Sequence, residues 1–297
     1  MTGTILFQQL INGISLGSLY GLVAIGYTMV YGILRLINFA HGDLLMFAAY
    51  TAIYLIGIFA LPWYISFPLA MVITGIMGIV LDRCAYRPLR DAPRISLLIS
   101  AIGASFLLEN LAIVIIGGIP KGFPRPTLFD HVITIMGVRV QVLTLYTPII
   151  TILLLLGLLY IIYRTKVGKA MRAASKDFEA TRLMGINLDR VIAITFFLGS
   201  FLAAAGGIMW AMKYPQVNPF MGVFPGLKAF IAAVLGGIGN IVGAVIGGFV
   251  LGLGEIMIVA LFPELSQYKD AFAFVILILV LLFRPTGIMG EPMIDKT

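Results

Sequence analysis

The segment 141–190 reads QVLTLYTPIITILLLLGLLYIIY and then RTKVGKAMRAASKDFEATRLMGINLDR, and the change at Arg164 decides the fold. The first part, 141–163, has no charged residue and as a helix is long enough to cross a hydrocarbon core of about 30 Å. The second part, 164–190, carries seven basic residues and is too polar to remain in lipid. The sequence therefore predicts a membrane span that ends in a hydrophilic loop.

The rest of the chain repeats this pattern. Hydrophobic residues make up 61% of the 297 residues and charged residues 11%, against about 25% in soluble domains. The apolar runs are about twice as long as the strands of a membrane barrel. We therefore predict an all-α fold, a polytopic membrane helical bundle of about eight segments forming a single domain over 1–297. The predicted spans cover about 9–33, 38–60, 63–82, 95–117, 141–163, 190–212, 227–261 and 267–284.

The basic residues predict the orientation of these spans. Twelve of them follow odd-numbered spans and five follow even-numbered spans. Because cytoplasmic loops carry the excess of Lys and Arg, the loop 164–190 is predicted to be cytoplasmic, and the loop 118–140 and the N-terminus extracytoplasmic. The same bias explains the net charge of +7 without a nucleic-acid partner.

The stretch 227–261 is too long for one simple span and contains Gly236, Gly237 and Gly239. A broken or re-entrant element is expected there, with one long tilted helix as the alternative. Backbone that breaks at membrane depth must be buried in protein or line a wet cavity. The three glycines are therefore candidates for a translocation path.

A second polar interruption separates the first two spans. It contains Asn38, Phe39, His41 and Asp43, and Asn38 or Asp43 is expected to cap the following helix. We interpret this interruption as a second part of the same path.

Two acidic residues fall inside predicted spans. Glu109 lies in 95–117 and must face protein or water, because a carboxyl group in hydrocarbon is costly. A hydrogen-bonded structural carboxyl is the favoured interpretation, and a place in the path or in ion coupling with Glu255 is the alternative.

Motifs for catalysis, metals and cofactors are absent from the sequence. Cys84 is the only cysteine, and His41 and His131 are the only histidines, without zinc-site spacing. The run 167–170 resembles a phosphate-binding loop but lacks its first glycine and its Ser or Thr. We expect no metal, no cofactor and no enzymatic activity in this chain.

The loop 164–190 contains good helix formers from Ala170 to Met184. A short amphipathic helix is predicted, with Phe178, Leu183 and Met184 as its apolar side and Gly185 as its end. Such a helix fits the groove of another protein, and a helix that lies on the membrane surface is the alternative.

Several segments resemble a known family along essentially the whole chain. They are NGISLGSLYGLVAIGYTMVYG at 12–32, INFAHG at 37–42, YRPLR at 86–90, MGIN at 184–187, KAFIAAVLGGIG at 228–239 and RPTGI at 284–288. Together they look like the permeases of branched-chain amino-acid ABC transporters, of the "H" subunit type.

The resemblance implies a bacterial inner-membrane importer. This permease would pair with a second related permease, two ABC ATPase subunits and an extracytoplasmic substrate-binding protein. Glu179, Ala180 and Gly185 match the motif that couples permease to ATPase, and Thr181 stands in place of its second alanine. Branched-chain amino acids are the implied substrate; permeases for urea or short amides and ion-coupled amino-acid transporters remain alternatives.

Overall fold

The computed structural model describes residues 3–90, 92–135 and 137–290, which are mostly helical. The helices are α1 (Gly3–Leu34), α2 (His41–Gly57), α3 (Trp63–Leu81), α4 (Arg94–Ile116), α5 (Thr127–Asp130), α6 (Val142–Arg164), α7 (Lys166–Lys176), α8 (Phe178–Leu183), α9 (Leu188–Lys213), α10 (Val223–Gly236), α11 (Ile241–Leu261) and α12 (Lys269–Phe283). A π turn at Asp82–Tyr86 and a 3-10 turn at Arg87–Leu89 follow α3, and a 3-10 turn at Pro263–Tyr268 precedes α12.

The bundle has two distinct ends. At one end, which we call the basic end, α7 and α8 lie beside the last turn of α1 and the start of α4. The opposite end carries the predicted loop 118–140, whose strands take part in two small antiparallel pairs. Strands β1 (Lys121–Gly122) and β4 (Gln216–Val217) pair there, as do β2 (Val132–Ile135) and β3 (Val138–Gln141).

Helix α1 is the centre of the bundle, and glycine rows join it to α11. A Cβ atom on Gly17 would lie 2.7 Å from the Cα of Phe249, and one on Gly248 would overlap the backbone of Gly21. Gly243 and Gly247 of α11 face α10 instead, where Gly247 lies against Ala232. Since lipid gives helices no hydrophobic reason to associate, such close backbone packing supplies the attraction. The glycine rows therefore serve helix packing within the chain.

Helices α2 and α10 both begin beside the middle of α1. The Nε2 atom of His41 lies 3.3 Å from the carbonyl oxygen of Val23, and Gly42 packs against the backbone of Gly222. From this shared start α2 runs to the opposite end, where Lys121 donates to the hydroxyl of Tyr54. Helix α10 runs to the basic end. The two short helices therefore diverge from one depth in the bundle.

The predicted break in 227–261 is confirmed. Helix α10 ends at Gly236 and α11 begins at Ile241, with Gly237 and Gly239 at φ +107° and +99°. Asn240, which the sequence analysis missed, caps α11 by accepting a 2.9 Å hydrogen bond from the backbone N–H of Gly243. In the described residues seven helices are long and apolar enough to cross a membrane. Helices α2 and α10 are shorter because they begin inside the bundle.

The expected cap of α2 is wrong. The residue before the helix is Ala40, and no side chain caps the helix. Asn38 instead accepts a 2.6 Å hydrogen bond from the hydroxyl of Tyr86, and Asp43 accepts one of 2.6 Å from Ser105. Both polar side chains are used to join α2 to other helices.

The α1–α11 contact predicts different effects for two glycines of one helix. Gly248→Ala should lower the unfolding temperature and the yield of monodisperse protein, because its methyl group overlaps α1 and overpacking costs about 1–3 kcal/mol. Gly254→Ala is the matched control, since a Cβ atom there meets nothing within 4 Å. Equal thermal stability of the two purified variants would contradict this account of the packing.

Candidate functional site

A cavity of about 180 Å³ lies where α2 and α10 begin, with α4 as its third wall. Its polar side is formed by Asp43, Ser105 and Glu109. Its apolar side is formed by Phe39, Ile102, Phe106, Val223 and Leu227. The arrangement of a few polar groups in an apolar cleft is typical of small-molecule sites.

The two carboxyl groups of this cavity differ in their partners. Asp43 is buried in the first turn of α2, where the helix dipole favours a negative charge, and it is held by Ser105. Glu109 lies one turn beyond Ser105 on α4 and is 7% exposed. Among the described residues Glu109 has no hydrogen-bond or ion-pair partner. The favoured interpretation of Glu109 as a hydrogen-bonded structural carboxyl therefore finds no support in the structure.

A second, larger opening lies at the basic end. It has a volume of about 740 Å³ and is bounded by Tyr31 and Leu34 of α1, Leu98 of α4 and Phe178 of α8. Tyr31 follows Tyr27 by one turn of α1, and Leu98 precedes Ile102 by one turn of α4. The same faces of α1 and α4 therefore line both openings. One opening lies at the basic end and the other near the middle of the bundle, and we refer to the two together as the track.

The structure divides the residues predicted for the translocation path. Phe39, Asp43 and Glu109 line the cavity. His41 lies behind it, buried against α1. Asn38 is also buried, under the Tyr86 hydroxyl.

The glycines of the break do not line the cavity. Gly236, Gly237 and Gly239 lie at the basic end, where the backbone N–H of Met289 donates to the carbonyl of Gly236. The start of α10, with Gly222 and Gly226, lines the cavity in their place. Gly222 and Gly226 flank Pro225, a residue common in the first turn of helices, and this signal could have placed the helix start there.

Charged side chains connect the π turn to α9. Arg90 lies 2.7 Å from Asp82 and 2.6 Å from Asp189, and Arg87 also pairs with Asp189. We call these four residues the charge clasp. Tyr86 is in the same π turn as Asp82 and holds Asn38, three residues before the first residue of α2. The clasp therefore links the start of α9 to the start of α2 through one short segment.

The loop 164–190 is a pair of short helices with defined ends. The Thr165 side chain caps α7 by accepting from the backbone N–H of Gly168, and Asp177 caps α8 by accepting from that of Ala180. Asn187 caps α9 by accepting from the backbone N–H of Arg190. The backbone N–H groups of Gly185 and Ile186 bond back to the carbonyls of Arg182 and Thr181, which is a Schellman end with Gly185 at φ +76°.

The four predicted coupling residues lie at this helix end, with different exposure. Glu179, Ala180 and Gly185 are exposed. Thr181 is 3% exposed, and its hydroxyl donates to the carbonyl of Asp177. The apolar side chains of Leu183 and Met184 are 88% and 81% exposed. Thr181 therefore supports the helix, while its neighbours present a surface.

Glu255 is part of a buried ion network. Its carboxylate lies 2.8 Å from the Lys228 ammonium and accepts a 3.0 Å hydrogen bond from Tyr20. Lys228 also pairs with Asp270 at 2.6 Å. Since Glu255 already has a cation, it differs from Glu109, which has none among the described residues.

In the part of the chain that the structure describes, seven helices long and apolar enough to cross a membrane define a polytopic membrane protein. The family model for the branched-chain amino acid transport system permease component matches residues 9–281. The chain belongs to this family.

Curated relatives agree with the family match. The permease protein BraD of the high-affinity branched-chain amino acid transport system of Pseudomonas aeruginosa is 43% identical, over 97% of each chain. LivH of Escherichia coli, from a transport system of the same description, is 41% identical with the same coverage. A solved structure, PsaBC from Streptococcus pneumoniae in complex with Fab, aligns over 96% of this chain with a TM-score of 0.48 and 15% identity.

The track predicts which α4 positions water can reach. In a Cys84→Ser background, Leu98→Cys and Ser105→Cys should react with a membrane-impermeant thiol reagent, since both side chains line the openings. Val114→Cys is the control: it is on the same helix, is 81% exposed on the outside of the bundle and is expected to face lipid. Labelling in membrane vesicles, read as mass shifts, measures the difference. Slow reaction at positions 98 and 105, matching position 114, would contradict a hydrated track.

Proposed function

We propose that this chain is the path-forming subunit of an ABC importer for branched-chain amino acids, driven by ATP hydrolysis on partner subunits. The observation that carries the proposal is the exposed helix α8, which is fixed at both ends and linked through the charge clasp to the cavity at the start of α2. A helix with exposed apolar residues and rigid ends is suited to fit a groove on another protein.

The proposed substrate follows from the relatives and from the cavity. BraD and LivH are named for branched-chain amino acid transport. The apolar wall of Phe39, Phe106 and Leu227 suits an aliphatic side chain better than it suits urea or a short amide. Branched-chain amino acids are therefore the substrate that we propose.

The proposed partners are a second related permease, two ABC ATPase subunits and an extracytoplasmic substrate-binding protein. The chain carries no complete nucleotide-binding motif, so ATP would bind to the ATPases. On the cavity wall formed by α4, Phe106 is 60% exposed, and a second permease would cover it. We place the chain in the bacterial inner membrane, with the basic end in the cytoplasm and the N-terminus outside.

The proposed coupling is mechanical. Closure of the ATPases would push on α8 through Glu179, Ala180, Leu183 and Met184. Because α8 leads directly into α9, the displacement reaches Asp189 and the charge clasp. The clasp includes the turn that holds Asn38 through Tyr86, so the start of α2 would move with it. This displacement would open or close the inner end of the track.

The ion-coupled alternative needs two acidic groups free to exchange a cation. Glu255 already pairs with Lys228, which favours a structural role for it. The predicted pair for ion coupling, Glu109 and Glu255, is therefore divided, because only Glu109 has no cation partner among the described residues. ATP coupling therefore accounts for more of the observed arrangement.

Coupling through α8 predicts that transport depends on the end of this helix. Gly185→Val should reduce uptake strongly while membrane insertion is retained, since a β-branched residue at φ +76° costs about 1–3 kcal/mol and disturbs the helix end. Gly185→Asn should transport at close to the wild-type rate, because asparagine tolerates this backbone conformation.

The measurement is leucine uptake and ATPase rate, compared in proteoliposomes that contain the complex. Glu179→Arg, which leaves the backbone unchanged, should also reduce uptake per ATP hydrolysed. Normal uptake with both Gly185→Val and Glu179→Arg would reject the docking role of α8.

A further inference from the structure

We propose that the cavity between α2, α4 and α10 binds the ammonium group of the transported amino acid, with Asp43 and Glu109 as its acidic ligands. This inference rests on the proposed function and assigns the part of the substrate that the cavity recognises. The ligand class is a primary ammonium carried on a short apolar body.

The acidic groups that line the cavity have no basic side chain beside them in its lining. Asp43 and Glu109 lie on different helices and face one space, and no Lys, Arg or His is among the residues that line it. Asp43 is 2% exposed and Glu109 is 7% exposed. A buried carboxylate is costly unless a cation or hydrogen-bond donors satisfy it. A cationic ligand would remove this cost.

The carboxyl group of Glu109 differs from that of Asp43 in its hydrogen bonds. Asp43 already accepts a short hydrogen bond from Ser105, whereas Glu109 has no partner in the described part of the chain. The contrast with Glu255 supports the point, because that carboxyl is at similar burial and is satisfied by Lys228 and Tyr20. Glu109 is thus the group that is left available to a ligand.

The volume and lining of the cavity suit an aliphatic group. A volume of about 180 Å³ exceeds the roughly 150 Å³ apolar cavity that holds benzene, so a branched aliphatic group fits. Phe39, Phe106 and Leu227 offer it apolar contact. The described residues include no group of three His, Cys, Asp or Glu suited to a metal ion. An alkyl ammonium therefore matches this lining better than a hydrated metal ion does.

The two acids would then give the path a chemical preference. An ammonium can donate to the Asp43 and Glu109 oxygens together, whereas a carboxylate placed there would be repelled. A solute with an amino group would be held at mid-depth, and an acid with the same side chain would be disfavoured. Such charge-assisted hydrogen bonds contribute more than neutral ones.

The test uses the chain purified from its own membranes with the partners it retains, in nanodiscs and without substrate-binding protein. Binding of tritiated L-leucine is competed with 3-methylbutylamine, which keeps the ammonium, and with 4-methylpentanoate, which keeps the carboxylate. The amine should compete at concentrations at least about tenfold lower than the acid, the difference expected for one charge-assisted contact.

The variants assign this preference to the two carboxyl groups. Glu109→Gln and Asp43→Asn should each weaken competition by the amine about tenfold, while Glu264→Gln, an exposed Glu→Gln control, should leave it unchanged. Because Glu109 has no partner to lose among the described residues and its buried charge is costly, Glu109→Gln should not lower the unfolding temperature, which separates binding from folding.

Two results would overturn the inference. They are equal competition by the amine and the acid in the wild-type chain, or amine competition that is unaffected by Glu109→Gln. Neither result concerns the proposed function, which fails instead if ATP hydrolysis does not drive leucine uptake.

Discussion

The architecture depends on backbone packing between helices in a medium that gives them no hydrophobic reason to associate. Gly17 and Gly21 on α1 meet Gly248 and Gly252 on α11, so two antiparallel helices lie at the shortest separation that their backbones allow. This contact keeps α1 central and surrounded. Only a buried α1 can receive the starts of α2 and α10 beside its middle, where polar backbone ends must be shielded from lipid.

The cavity follows from those two helix starts. Where α2 and α10 diverge, neither fills the space on the side of α4, and Asp43 and Glu109 face what is left. Other buried acidic groups of the bundle have cation partners. Glu255 and Lys228 neutralise each other, and Asp82 is held by Arg90 near the basic end. Asp82 and Glu255 are therefore paired with cations, whereas Asp43 and Glu109 have no cation partner among the described residues.

The spans were predictable because composition alone fixes where a chain can remain in lipid. The boundary at Arg164, the break at the glycines of 236–239 and the Schellman end at Gly185 were all readable from local residue chemistry. The track was harder to predict because it depends on which helices touch. Asn38 has the residue type of a helix cap, yet its side chain joins Tyr86 from a segment 48 residues away.

The site residues show the same limit of prediction from sequence. Asp43 and Glu109 could be named from the cost of acids in a membrane, but sequence could not say that they face one cavity. The glycines of the break drew attention to the wrong end of α10. The start of α10 at Gly222 carries a weaker sequence signal, Pro225 in the first turn, and the contact with Gly42 shows where that start lies in the bundle. Local signals locate interruptions of a helix, and tertiary packing decides which interruption meets the path.

The central claim is that α8 transmits a displacement from the partner ATPase subunits to the start of α2. The most direct test is photo-crosslinking from a reactive amino acid at position 184 in native membranes, with the captured polypeptide identified by mass spectrometry. The account predicts an ATP-binding subunit, captured from a side chain that is 81% exposed in the chain alone. Capture of lipid only, or of a protein from outside the cytoplasm, would contradict it.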